Sequence, residues 1–148
     1  MPETLFIGVG NSFRRDDGAG PVVAARLSGR GAQTRVHAGD GTGLIEYFSE
    51  AAKIVLIDAT RSGAPGGTIL DIDATRTPLP TEFFHYSTHR FGLAEAVETA
   101  RRLGLLPEAL RVIGIEGVDF GPGEGLSEPV EAAVRRVVSL LGAEISRT

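Results

Sequence analysis

The chain is predicted to be an α/β protein. One domain over residues 1–148 would hold a twisted, mostly parallel five-stranded sheet, with helices on both faces in a three-layer α/β/α arrangement. Three observations predict it. Short apolar runs alternate with stretches of helical periodicity along the whole length. The first run opens onto a glycine-rich turn and then a helix. One link between runs, Ala59 to Gly67, is too short for a helical crossover, so an antiparallel hairpin is expected between the third and fourth strands.

The first strand is read over Leu5–Val9, followed by the turn Gly8-Val9-Gly10-Asn11 and a helix from about Gly18 to Leu27, with Pro21 tolerated in its first turn. A weaker strand covers Gln33–Ala38, and a helix over about Gly43 to Ala51 would bury Leu44, Ile45 and Phe48. Strands at Ile54–Ile57 and Thr68–Ile72 follow. The segment Asp73 to Thr88, with Pro78, Pro80, Phe83, Phe84 and Tyr86, has no clear period and reads as a long loop. Its aromatics either serve recognition or pack on the sheet edge. The third helix, about Phe91 to Leu103, places Leu93, Val97 and Ala100 on one side. A strand at Arg111–Ile115 leads to a last helix that starts near Ser127, an expected N-cap, and presents Val130, Val134, Val137 and Leu141.

Composition narrows the function classes. A net charge of −4 argues against nucleic acid as the main partner. With no cysteine there is no thiolate nucleophile and no cysteine-based metal site. Lys53 is the only lysine, which leaves Schiff-base chemistry and a phosphate-binding lysine almost without a candidate. No apolar run has transmembrane length and the start, Met1-Pro2-Glu3-Thr4, has no signal-peptide character. Cytoplasmic residence, no membrane partner and a monomer are the expectations.

The turn after the first strand carries Asp16-Asp17-Gly18-Ala19-Gly20, and carboxylates there would repel a phosphate but suit a cation. Ligands of open α/β sheets bind beyond the carboxyl ends of the strands. Three side chains are expected at that edge: Asp17, Asp58 at the end of the third strand, and His89 in Ser87-Thr88-His89 before the third helix. Two carboxylates and an imidazole suit nickel, zinc or manganese and leave coordination positions open. Each also has a plainer explanation: Asp17 as a helix cap, Asp58 as an acceptor for backbone N–H groups, His89 as a structural residue at a helix start. Asp16 is expected to brace the turn and Asn11 to bond its backbone. His37 and His85 read as surface or packing residues.

The sequence resembles the hydrogenase maturation proteases, over nearly its whole length. Gly8-Val9-Gly10-Asn11 with Asp16-Asp17-Gly18-Ala19-Gly20 matches the family's N-terminal signature, the most specific of its motifs. Ile57-Asp58-Ala59 with Gly66-Gly67-Thr68 matches the second, and Ser87-Thr88-His89 with Gly92-Leu93 the third. Ile113-Gly114-Ile115-Glu116 and Gly123-Glu124-Gly125-Leu126-Ser127 resemble the C-terminal pattern, which is not catalytic. The resemblance implies a phosphorylase/hydrolase-like three-layer fold. It implies an endopeptidase that removes a C-terminal extension from the precursor of a nickel–iron hydrogenase large subunit after nickel insertion. By motif position Asp17, Asp58 and His89 would be the catalytic, metal-contacting residues, with nickel supplied by the substrate and no organic cofactor. Some relatives carry Glu at the first position, where this chain has Asp17. Glu116-Gly117 also departs from many relatives, at a place expected to touch no ligand.

Two other readings use the same residues. A non-catalytic assembly checkpoint could recognise nickel through the same trio. A peptidyl-tRNA hydrolase-like esterase shares the Gly-x-Gly-Asn turn, but needs a basic groove that the acidic balance disfavours. Dinucleotide binding lacks an acidic residue to meet the ribose.

Overall fold

Alternate residues of the first strand, β1 (Thr4–Val9), enter two different cores, and that period of two organises the molecule. Leu5, Ile7 and Val9 face one side while Phe6 faces the other. The structure is a computed structural model and describes residues 3–38, 40, 41, 43–84 and 91–146. In chain order the remaining elements are α1 (Ala19–Ser28), β2 (Gln33–His37), β3 (Lys53–Thr60), β4 (Ile69–Asp73), α2 (Leu93–Leu103), β5 (Ala109–Glu116) and α3 (Glu128–Ser146). Short 3-10 segments lie at Arg15–Gly18, Leu44–Ser49 and Thr81–Phe84.

The strands form one five-stranded sheet in the order β2-β1-β3-β5-β4. β1 pairs in parallel with β2 and β3, and β3 pairs in parallel with β5 from Lys53 opposite Ala109 to Thr60 opposite Glu116. On one face Val23 and Leu27 of α1 and Val130, Val134, Val137 and Leu141 of α3 meet Phe6, Val55, Ile57, Ile113 and Ile115. On the other, Leu93, Val97 and Ala100 of α2, with Leu44 and Phe48, meet Leu5, Ile7, Leu56 and Val112. The expected three-layer arrangement is present.

The expected hairpin is not. β4 is the one antiparallel strand, but it pairs with β5, which lies between it and β3. Burial explains the order. β5 offers apolar side chains to both faces (Val112 to one, Ile113 and Ile115 to the other) and so gains most at a central position. β4 carries Asp71 and Asp73, alternates half-buried with exposed residues, and is tolerated at an edge. The second helix expected over Gly43–Ala51 is also shorter and tighter, a 3-10 segment over Leu44–Ser49. Gly43, at φ +86°, turns the chain in, and the Glu50 N–H bonds the Tyr47 carbonyl at 2.9 Å before the chain enters β3. Leu44 and Phe48 are still buried, with Ile45 half-buried against them. Among the described residues no helix is long and apolar enough to cross a membrane.

Candidate active site at the carboxyl edge of the sheet

Two glycines let α1 start unusually close to the sheet. A Cβ at Gly20 would collide with the carbonyl oxygens of Ile57 and Val9, and one at Gly8 would collide with the Gly20 carbonyl. The first turn of α1 is therefore wedged between the carboxyl ends of β1 and β3. The 3-10 turn that precedes it, Arg15–Gly18, carries Asp17 and packs on β3, the strand that holds Asp58 near its carboxyl end.

Asp17 is 2% exposed, and its two oxygens differ. Oδ2 accepts the Asn11 N–H at 3.1 Å. Oδ1 is buried with no hydrogen-bond partner among the described residues. No cap bond runs from this side chain to α1, so capping does not explain it. Gly10, at φ +142°, makes room for it: a Cβ there would strike the Asp17 carbonyl oxygen and lie 3.5 Å from Oδ1. An orphaned buried carboxylate oxygen costs about 1–3 kcal/mol, and native proteins rarely leave one without a use.

Asp58 is likewise 2% exposed, and its Oδ1 accepts the N–H of Ala59 at 2.8 Å. That bond is the plainer role expected of it, met at one oxygen. By strand alternation Asp58 follows Ile54 and Leu56, offset from Ile57, on the face that α2 covers. His89, the third member, lies outside the described residues, as do His85, Tyr86, Ser87 and Thr88. α2 itself begins at Leu93 on that same face. Among the described residues no three histidine, aspartate or glutamate side chains form a metal-binding group, which leaves the two carboxylates at this edge.

Asp16 has the opposite environment. Fully buried, it accepts the N–H groups of Val118 (2.8 Å), Asp119 (2.9 Å) and Ser127 (2.8 Å) and the Ser127 hydroxyl (2.8 Å). It braces the turn as expected, and it also ties that turn to the loop between β5 and α3. Ser127 precedes α3 as expected of a cap, but its hydroxyl donates to Asp16 instead of closing the helix end. Asn11 Oδ1 accepts the Phe13 N–H at 2.9 Å, the local turn bond expected of it. His37 is half-buried, its ring edge-on to Tyr47 at 5.6 Å, which is a packing role.

Glu116 is the residue that sequence reasoning undervalued. At the end of β5, 3% exposed, it accepts the Thr60 hydroxyl at 2.9 Å, the Ser62 hydroxyl at 2.8 Å, and the N–H groups of Ser62 (2.9 Å) and Gly63 (3.2 Å). It therefore fixes the chain that leaves β3 just after Asp58. A carboxylate directly after the buried run Val112–Ile115 was the available signal.

The long loop after β4 is largely structural where it is described. Phe84 is buried, Phe83 packs half-buried on the same core, and the Arg101 guanidinium bonds the carbonyls of Ala74 (2.6 Å) and Thr75 (3.3 Å). A cavity of about 650 Å³ opens at the opposite edge of the sheet, among Glu3, Lys53, Arg111 and Glu144. There Arg111 bonds Asp71 at 2.7 Å and Glu144 at 2.9 Å, so its charges are already matched. Neither aspartate of the carboxyl edge lines that cavity.

The fold and this edge define an open α/β protein with buried acids beyond its parallel strands. The family model described as hydrogenase maturation protease matches residues 26–144, and the chain belongs to that family. The chain is 28% identical over 143 residues to the hydrogenase expression/formation protein HupD of Rhizobium leguminosarum bv. viciae, covering 93% of this chain and 69% of the relative. It is 29% identical over 128 residues to HupD of Thiocapsa roseopersicina, covering 81% of this chain and 58% of that one. The chain thus spans roughly three fifths to two thirds of these relatives' lengths. Its fold is similar to the [NiFe] hydrogenase maturation protease HybD from Thermococcus kodakarensis, with a TM-score of 0.71, 22% identity, and coverage of 95% of this chain and 97% of that one.

Proposed function

We propose that this protein is an endopeptidase that trims the C-terminal extension from the precursor of a nickel–iron hydrogenase large subunit once nickel has been inserted. Asp17, Asp58 and His89 would meet the nickel that the precursor carries. The observation that carries this reading is the orphaned Oδ1 of Asp17: a buried carboxylate oxygen without a donor, on the same sheet edge as buried Asp58. Such an oxygen is a poor structural element and a good ligand for a cation delivered from outside. Family membership supports the protease class, and the similar Thermococcus protein is a [NiFe] hydrogenase maturation protease.

Nickel here is cargo of the substrate and, when bound, would polarise a carbonyl or acidify a water. The chain's own contribution is positional. Asn11 N–H and the Gly10 cradle hold Asp17 in one orientation, while Ala59 N–H holds Asp58. A carboxylate at this edge is also placed to take a proton from an attacking water. An empty precursor would bring these acids no cation, so docking for cleavage depends on nickel loading.

The test is a cleavage assay, read by mass, on nickel-loaded and nickel-free precursor from the same source. Wild type is expected to trim only the loaded form, and Asp17→Asn and His89→Ala to fold yet fail. Equal trimming of both precursor forms, or normal trimming by both variants, overturns the reading. Nickel-dependent binding by wild type with no cleavage points to an assembly checkpoint instead.

A further inference from the structure

The rim beside Asp17 carries the one aromatic among the exposed large hydrophobic side chains of the described residues. Phe13 is 67% exposed, yet its backbone is fixed on both sides: its N–H bonds Asn11 Oδ1 and its carbonyl accepts the Gly123 N–H at 2.9 Å. A rigid turn thus holds an aromatic ring in water. Arg15 is the one non-glycine residue with positive φ among those described, at +49°. That conformation is costly for a side chain of this size, and such strain persists only where surrounding contacts impose it. The contacts come from the glycine-rich loop after β5. Arg15 N–H bonds the Gly123 carbonyl at 2.9 Å and its guanidinium bonds the Glu124 carbonyl at 3.0 Å. The guanidinium also lies so close over Gly123 that a Cβ there would sit 3.2 Å from Nε.

The strip continues beyond Asp16. The Phe120 ring covers Gly117, whose added Cβ would lie 3.2 Å from Asp16 Cβ. Arg61 stacks over Phe120 at 5.7 Å from the ring centre. Among the described residues, neither Arg15 nor Arg61 is spent on a carboxylate of the chain. Arg26, Arg35, Lys53, Arg101, Arg111 and Arg135 each bridge a carboxylate of this chain. Among the described residues Arg15 and Arg61 bridge none, as is also true of Arg14, Arg30, Arg102 and Arg136, but Arg61 stacks on an aromatic ring of this rim and Arg15 is bonded to Gly123, whose N–H holds Phe13.

We infer that Phe13, Arg15, Phe120 and Arg61 form a docking strip for an acidic, partly apolar peptide segment of the hydrogenase precursor, next to the metal-recognising acids but distinct from them. The inference rests on the proposed function for the identity of the partner. The occupant's chemistry follows from complementarity: two unmatched guanidinium groups call for carboxylates, and an exposed ring on a fixed turn calls for an apolar side chain. Held this way, a precursor would dock by its polypeptide and be checked for nickel by Asp17 and Asp58.

The test uses the full chain and purified nickel-loaded precursor, with steady-state cleavage and binding measured at low and high salt. Phe13→Ser and Arg61→Glu are expected to raise KM and Kd about tenfold each, with kcat and melting temperature unchanged. Arg61→Glu is also expected to flatten the salt dependence of binding. Wild-type KM and salt dependence in both variants overturn the strip while leaving the protease reading intact. Lowered kcat with unchanged KM also overturns it, because it places these residues in the chemistry. A wild type that neither binds nor cleaves precursor overturns the protease reading and the strip together.

Discussion

Two adjacent aspartates, both buried, are expected to answer neutralisation in opposite directions. Asp17→Asn keeps an oxygen for the Asn11 N–H and removes a charge whose other oxygen has no donor. Neutralisation relieves the desolvation of a buried charge, about 3 kcal/mol, offset by about 1 kcal/mol for a weaker, uncharged hydrogen bond to Asn11 and by up to about 2 kcal/mol for the amide N–H₂ that takes the orphan's place. The expected net change runs from zero to roughly 2 kcal/mol of stabilisation. For a domain of this size that raises the melting temperature by no more than about 8 °C. Asp16→Asn replaces an acceptor of four hydrogen bonds with a group that turns an N–H₂ toward at least one backbone donor. Loss of one or two charge-assisted bonds and the new donor–donor conflict cost about 2–4 kcal/mol, or roughly 5–15 °C. Thermal melting by circular dichroism of the two variants beside wild type reads both signs. A melting temperature for Asp17→Asn lowered as far as that of Asp16→Asn would refute the reasoning, because it would make Asp17 a structural acceptor like its neighbour.

Gly20→Ala is expected to cost several kcal/mol, because its methyl would meet the carbonyls of Val9 and Ile57, backbone groups that cannot step aside; chemical denaturation checks it. Leu56→Ala, which truncates a fully buried side chain at the centre of β3, is expected to lose about 2–5 kcal/mol in the same measurement. Stability should also fall in acid. Asp71, Glu98 and Glu131 are held below the ordinary carboxylate range chiefly by hydrogen bonds from Arg111, Arg101 and Arg26. Each therefore stabilises fully above the unfolded carboxylate value near about 4 and loses that contribution as pH drops through its lower folded value. These pairs are partly exposed, so the loss is at most about 1 kcal/mol apiece. Urea titrations at descending pH should show it, and Arg111→Met should remove the share belonging to Asp71.

The alternation of apolar runs and helical periods foretold the layers because burial on two faces leaves a direct mark on sequence. Leu5, Phe6 and Ile7 had to divide between two cores, and they do. Strand order left a weaker mark. A short link after β3 suggested a hairpin, but the link's length does not reveal that β5, apolar on both faces, takes the place beside β3. At the candidate site, Asp17 was legible from the turn after an apolar strand and Asp58 from its place directly after the apolar run Ile54–Ile57, although β3 continues past it to Thr60. The contrast between Asp16 and Asp17 was legible only in outline, since the donors that satisfy Asp16 come from Val118, Asp119 and Ser127, far along the chain. Glu116 was missed for the same reason: its partners Thr60, Ser62 and Gly63 belong to another strand end.

Whether the two aspartates and His89 share a nickel ion can be read at the metal itself. X-ray absorption at the nickel edge, recorded on loaded precursor alone and on freeze-trapped complexes, reports the atoms bound to nickel. Wild type is expected to add oxygen and nitrogen ligands that the Asp17→Asn and His89→Ala complexes lack. A wild-type complex whose nickel spectrum matches that of free precursor would contradict a metal-recognition role for these residues.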